Sequence, residues 1–262
     1  MSPLLQVEGV AMHFGGLVAL DHLDLTVARG ELVSIIGPNG SGKSTLFNVI
    51  SGFYSATRGR VMLDGEDITR ASAHRLRDKG IARTFQSSRL FLDLSVLDNI
   101  IIGMHTEKPP TVLGVLFRPA NAGRELNDCA RRAEALLGEG FGTLYEQRHR
   151  PAGTLAQADR RRLEIVRAIA RGPKLLLLDE PSVGMAEAET QGFIDDIARL
   201  RVNFPDLAIA LIEHDMRVVE AFPDNVICID QGRVIVRGDF SAVRKHALVQ
   251  EAYLGKAAHA DA

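Results

Sequence analysis

Cysteine is scarce: the chain has two, Cys129 and Cys228, far apart and without metal-ligand or redox spacing. They read as buried free thiols in a reducing compartment rather than as a disulfide. Long apolar runs are missing, and no stretch approaches the ~18–20 residues that span a bilayer. The N-terminal MSPLLQVEGVAMHF carries Glu8 early, with no basic region ahead of a long apolar segment, so it is not a secretory signal. The expectation is a cytoplasmic chain that serves a membrane only from the inside and through a partner. Charge of one sign is missing too. With 31 Lys+Arg against 33 Asp+Glu the net charge is −2, where a chain built to hold nucleic acid shows a basic excess. Three consecutive arginines, Arg160–Arg162, therefore read as a solvated or interface face. Internal repeats and low-complexity tracts are absent. What is there, 262 residues at 46% hydrophobic and 24% charged, excludes wholesale disorder and buries a core without staples.

The chain changes character along its length. Leu4–Val10 and Leu20–Val27 alternate as half-buried strands do, and Leu32–Ile36 is a continuous apolar run suited to a buried central strand. A helix is expected from Lys43 to about Ser51, capped by Gly52, and then a strand Val61–Leu63 turning at Asp64-Gly65. Ser95 reads as the cap of a helix carrying Val96, Leu97 and Ile100. Three prolines break residues 105–122 into an irregular insertion. Its apolar run Thr111–Phe117 is too short to cross lipid and reads either as a lid over the helical region or as a partner contact. Arg124–Leu137 and Leu155–Arg171 read as helices. The last third returns to strands at Leu175–Leu178, Ala208–Ile212, Val226–Ile229 and Val234–Val236, with a helix at Phe193–Leu200 and a hairpin at Gln231-Gly232.

Gly37-Pro38-Asn39-Gly40-Ser41-Gly42-Lys43-Ser44-Thr45 fits G-x-x-x-x-G-K-[ST] between a buried strand and a helix, the context that gives the pattern its meaning. The glycines let backbone N–H groups point inward and the helix turns its positive end to phosphates. Lys43 is placed to neutralise the β- and γ-phosphates and Ser44 to ligate Mg²⁺. Leu175–Leu178 ends in Asp179 and Glu180 at the carboxyl edge of a parallel sheet. Asp179 suits the Mg²⁺ shell, and Glu180 suits orienting and deprotonating an attacking water. His214, in Glu213-His214-Asp215 after the next strand, is placed to sense the γ-phosphate.

These residues resemble the ATP-binding subunit of an ABC transporter over residues 4–254. Gly37–Thr45 is similar to that family's Walker A motif and Leu175–Asp179 to its Walker B strand. The resemblance implies Glu180 as catalytic base, His214 as switch histidine, Gln86 in Arg83-Thr84-Phe85-Gln86 as the Q-loop glutamine touching Mg²⁺, and Phe14 as the aromatic stacked on adenine. Phe14–Leu20, Arg83–Gln86, Arg161–Ile165, Glu180–Met185 and Ala252–Gly255 resemble the branched-chain amino acid uptake group, which also includes urea, amide and other amino-acid importers. The insertion after Ile102 resembles the longer of the two ATPases that such systems pair.

The fold so implied is α/β: a P-loop core with an antiparallel β-subdomain and a helical insert, all one ATP-binding domain over 1–262. The core is expected at 1–86 and 157–238, the helical subdomain at 87–156 and a C-terminal helical tail at 239–262. The implied partners are a second ATPase, membrane permeases and, indirectly, a periplasmic or extracellular solute-binding protein, with the chain peripheral on the cytoplasmic face of the membrane. A nucleotide-gated interaction module with vestigial hydrolysis is the alternative.

Departures from the family fall on the parts that serve a partner's nucleotide. The signature, typically Leu-Ser-Gly-Gly-Gln, reads Leu155-Ala156-Gln157-Ala158-Asp159 here. It lacks the serine hydroxyl at Ala156, puts the Ala158 methyl where a glycine admits close approach, and adds the Asp159 charge. The D-loop ends in Ala186 where Asp or Asn is usual. A lost charge-assisted bond costs roughly 1.5–3 kcal/mol, and one lost transition-state donor ~10²–10³ in rate. A heterodimer with one competent and one weakened site is expected. The alternative is that helix N-terminal amides at Ala158–Arg160 suffice and both sites work.

Overall fold

The computed structural model describes residues 3–84, 90–104, 119–222 and 224–257, apart from the side chains of 119–126 and 254–257. The chain divides into two compact units. Met1–Arg83, Pro173–Val183 and Phe204–Ala262 form the first, and Thr84–Gly172 with Gly184–Asn203 the second.

The first unit holds two sheets. Strands β1 (Leu5–Phe14), β2 (Leu17–Val27), β4 (Arg58–Leu63) and β5 (Glu66–Asp67) make an antiparallel sheet in the order β2-β1-β4-β5. Strands β3 (Leu32–Ile36), β6 (Ile81–Arg83), β7 (Leu175–Asp179), β8 (Ala208–Ile212), β9 (Asn225–Asp230) and β10 (Arg233–Gly238) make the other, in the order β10-β9-β3-β8-β7-β6. All its pairs are parallel except β9–β10. Every residue of β3, β7 and β8 is buried, as continuous apolar runs require when both sheet faces are covered. Both expected hairpins form, with left-handed Asp64-Gly65 and Gln231-Gly232 at their tips. Helix α1 (Lys43–Ile50) follows β3 and buries Leu46, Phe47, Val49 and Ile50; α2 (Ala73–Asp78) precedes β6.

The second unit contains α3 (Val96–Met104), α4 (Pro119–Gly140), α5 (Gly142–Glu146), α6 (Gln157–Ile169) and α7 (Glu187–Asn203). Ser95 caps α3 reciprocally with Asp98: its hydroxyl accepts from the Asp98 N–H at 3.0 Å and donates to the Asp98 carboxylate at 2.6 Å. Ala133 and Leu137 on α4, and Leu163, Val166 and Ile169 on α6, are buried. The first unit closes with α8 (Met216–Ala221), α9 (Phe240–Lys245) and α10 (Ala247–Ala257).

Several elements differ from expectation. β1 runs on to Phe14, α2 and β6 are additional, and α7 is far longer than Phe193–Leu200. α7 starts early because the Glu189 carboxylate accepts from the Ala186 N–H at 2.8 Å, which caps a first turn poor in apolar residues. Both cysteines are free; Cys228 is buried, but Cys129 is half-exposed on α4. The run Thr111–Phe117 lies outside the described residues. Among the described residues, no helix is long and apolar enough to cross a membrane.

Candidate functional site

The register pairs Ile35 with Ile212 and Ile212 with Asp179. The segments leaving β3, β8 and β7 therefore emerge side by side at the carboxyl edge of the sheet, where parallel α/β sheets bind ligands.

The segment after β3 is built on positive backbone angles: φ is 148° at Gly37, 78° at Gly40 and 107° at Gly42. A Cβ at Gly37 would stand 2.0 Å from the Ile229 carbonyl oxygen and one at Gly42 2.6 Å from that of Ala19, while nothing lies near Gly40. Contact and backbone angle both demand glycine at the first two positions; only the angle does so at Gly40. The loop is tied at both ends. The Gly37 N–H donates to the Tyr253 phenol oxygen at 2.9 Å, and the Ser41 carbonyl accepts from the Gly232 N–H at 2.8 Å. Lys43, 5% exposed, donates to the carbonyl oxygens of Gly37 at 2.7 Å and Pro38 at 2.9 Å. α1 begins without a side-chain cap among the described residues, and its N-terminal end is the one that favours an anion. Asn39, Gly40 and Ser44 are exposed, Thr45 half-buried and Ser41 buried.

Asp179 at the end of β7 is buried, and its Oδ2 accepts from Arg83 Nη2 at 2.9 Å. The same guanidinium donates from Nη1 to Asn48 Oδ1 at 2.7 Å and Ser51 Oγ at 2.9 Å. It also lies 5.7 and 5.8 Å from the ring centres of Phe47 and Phe53. The other oxygen, Oδ1, is buried and takes no hydrogen bond among the described residues. Burial, the largest influence, raises the Asp179 carboxyl above its ordinary value; Arg83 opposes it, Glu180 adds to it and Lys43 pulls it back. A carboxylate oxygen without a hydrogen-bond partner among the described residues, at the sheet edge that also bears the phosphate loop, suits a hard divalent cation with oxygen ligands. Among the described residues no cluster of three or more His, Cys, Asp or Glu could hold a metal alone.

Glu180 leaves β7 with φ at +50°, a left-handed angle that a non-glycine residue adopts at a cost. Its N–H continues the sheet ladder to the Ile212 carbonyl at 2.9 Å. Its Oε1 meets His214 Nε2 at 2.5 Å. The intervening Glu213 is fully buried and accepts from the Ser182 N–H at 2.9 Å and the His214 N–H at 3.0 Å. At the tip of β1, Phe14 is 41% exposed and meets Tyr54 edge to face, ring centres 5.3 Å apart. The structure thus brings Gly37–Thr45, Asp179, Glu180 and His214 to one sheet edge; Gln86 lies outside the described residues. Sequence reasoning missed Arg83, Glu213, Tyr253, Gly232 and Tyr54, whose contacts are mostly distant along the chain.

The signature stretch opens α6 in the second unit. Ala156 is the exposed N-cap, with no side-chain bond to the first turn. Two of the altered positions have definite surroundings within their own unit. Ala158 is only 4% exposed, so its methyl is taken up inside its own unit. The Asp159 charge is neutralised locally: Arg162 donates to Oδ1 at 2.9 Å and Gln147 to Oδ2 at 3.0 Å, while Arg162 also meets Asp196 at 2.5 Å.

A glycine-built loop opening a helix, next to acidic strand ends of a parallel sheet, defines the class: a P-loop nucleotide-binding ATPase. The family follows from comparison. The ABC transporter family model matches residues 20–183, and the chain belongs to that family as an ATP-binding ATPase. It is 39% identical to the high-affinity branched-chain amino acid transport ATP-binding protein BraF of Pseudomonas aeruginosa, over 97% of this chain and 99% of that protein. LivG of Escherichia coli K12, with the same description, is 37% identical at the same coverage. A probable branched-chain amino acid transport LivG of Methanocaldococcus jannaschii is 32% identical, over 97% and 98%. The ADP conformation of MJ1267, an ATP-binding cassette of an ABC transporter, superposes with TM-score 0.83 at 30% identity, covering 97% of this chain and 100% of that one. A nucleotide-free cassette gives 0.82 at 29%, covering 96% and 99%.

Proposed function

We propose that the chain is the ATP-hydrolysing motor of a membrane importer for branched-chain amino acids or related small polar solutes. The descriptions of the relatives support the solute class. The observation that carries hydrolysis is the 2.5 Å contact between Glu180 and His214 at the edge that also bears the phosphate loop. In this reading Phe14 stacks on adenine, and Gly37–Thr45 wraps the phosphates with backbone amides. Lys43 turns from its own loop carbonyls to the β- and γ-phosphates. Ser44, Asp179 and Gln86 are the residues that would hold Mg²⁺, which when bound offsets charge developing on the phosphates. Glu180 orients the attacking water and takes its proton, and His214 holds Glu180 and reports on the γ-phosphate.

As a motor the chain works with a second ATPase subunit and with membrane permeases, on the cytoplasmic face of the membrane. A solute-binding protein outside is its indirect partner. Ala156, an N-cap without a side-chain hydroxyl, supports a heterodimer whose weakened site is the one this chain's signature completes. The same residue favours a second reading, a nucleotide-gated clamp with vestigial hydrolysis. Glu180→Gln separates the two in the assembled complex: for a motor, ATP still binds while turnover and transport stop. Transport that survives the substitution leaves the clamp.

A further inference from the structure

The contact between Glu180 and His214 needs two turns held in register, and neither turn is regular structure. The turn after β7 leaves from Glu180 at φ +50°, and the Val183 N–H donates to the Glu180 carbonyl across it at a long 3.3 Å. The segment after β8, Glu213-His214-Asp215, is three residues long before α8 begins at Met216. Between them sits Glu213, with no exposed surface. Its Oε1 accepts from the Ser182 N–H at 2.9 Å, inside the first turn. Its Oε2 accepts from the His214 N–H at 3.0 Å and, more weakly, the Asp215 N–H at 3.5 Å, inside the second. One carboxylate thus spans both turns through backbone amides, two residues from the glutamate on one side and next to the histidine on the other.

We propose that Glu213 is a positioning residue for hydrolysis: it locks the two turns together and so fixes the distance and angle at which Glu180 meets His214. This deepens the proposed reaction and rests on it. A buried carboxylate is costly to desolvate, and nothing in the packing of β8 calls for a side chain with two acceptor oxygens. What does call for one is the pair of amides, of Ser182 and His214, that face it from different loops. Among the described residues its hydrogen bonds are all to main chain, so it acts through the residues it holds.

Glu213→Gln tests the idea. The amide keeps the volume, but one end presents N–H donors to a backbone N–H, so one of the two turns is released. In the assembled complex kcat should fall by about 10²-fold, the order expected when reacting groups are displaced by about 1 Å. ATP affinity, set by the phosphate loop, should stay within about 2-fold. Combined with His214→Ala, the added loss from Glu213→Gln should be under about 3-fold, because groups that act as a unit are not additive. Imidazole ¹⁵N shifts of His214 should move toward those of an imidazole without a carboxylate partner. Glu213→Asp, which keeps the charge but shortens the reach by one methylene, serves if Glu213→Gln does not fold and should show the same split between kcat and ATP affinity. The proposal is overturned by unchanged kcat, by kcat and ATP affinity falling together, by losses that multiply in the double variant, or by unmoved His214 shifts. A wild-type complex that binds ATP without hydrolysing it refutes the motor reading instead, and is recognised before any variant is made.

Discussion

Arg83→Met removes the cation that bridges Asp179 to the end of α1. Both partners are nearly dry, with side chains 8% and 4% exposed, so the loss leaves an uncompensated buried carboxylate, worth about 3–5 kcal/mol. The bonds to Asn48 and Ser51 go as well, at about 1 kcal/mol each. Methionine returns part of this through contact with Phe47 and Phe53. A net loss of about 4 kcal/mol corresponds, at about 2–4 °C per kcal/mol for a chain of this size, to a fall in Tm of about 8–16 °C. The control is a double-mutant cycle with Asp179→Asn. A neutral amide needs no cation, so the double variant should lose at least about 2 kcal/mol less than the sum of the single losses. Thermal unfolding of the nucleotide-free chain at fixed pH, followed by circular dichroism, measures all four corners. An Arg83→Met protein melting within about 2 °C of wild type refutes the reasoning, as do single losses that simply add.

Two further outcomes follow from the local geometry. Gly42→Ala meets both a φ of 107° and the Ala19 carbonyl 2.6 Å away, whereas Gly40→Ala meets only its φ of 78°. Gly40→Ala should therefore cost about 1–2 kcal/mol. Gly42→Ala should cost clearly more and abolish ATP binding, as measured by melting and calorimetry. Asp215 caps α8 by accepting from the Arg217 N–H at 2.9 Å, and Arg217 holds its carboxyl below the ordinary 3.8. Asp215→Ala should lose about 1 kcal/mol at neutral pH. Because the folded pKa is depressed, that stabilisation is complete above 3.8 and disappears as pH falls through the folded value. Melting curves of the two proteins should keep a constant gap from neutral pH down to mildly acid pH and converge only below 3.8.

The strands at the centre of the sheet were legible because burial on both faces writes itself as an unbroken apolar run. β3 and β8 match their expected bounds, Leu32–Ile36 and Ala208–Ile212, residue for residue. The phosphate loop was legible because its glycines, lysine and serine are contiguous. β6 was not, since Ile81–Arg83 is too short to show a period and owes its form to pairing with β7. Arg83 reaches Asp179 across 96 positions and Tyr253 reaches Gly37 across 216, separations over which no local pattern speaks. The surroundings of the signature were not legible either: Ala158 is buried and Asp159 is paired with Arg162, neither of which the stretch Leu155–Asp159 announces.

The unequal settings of the two thiols make this chain self-selecting for covalent labels. Burial pushes Cys228 up to about 11, leaving fewer than about one in a thousand as the reactive thiolate at neutral pH, inside a strand that reagents do not enter. Cys129 is half-exposed on α4. A maleimide dye added to the unaltered protein therefore marks the helical unit alone, giving a single spectroscopic beacon without any engineered cysteine.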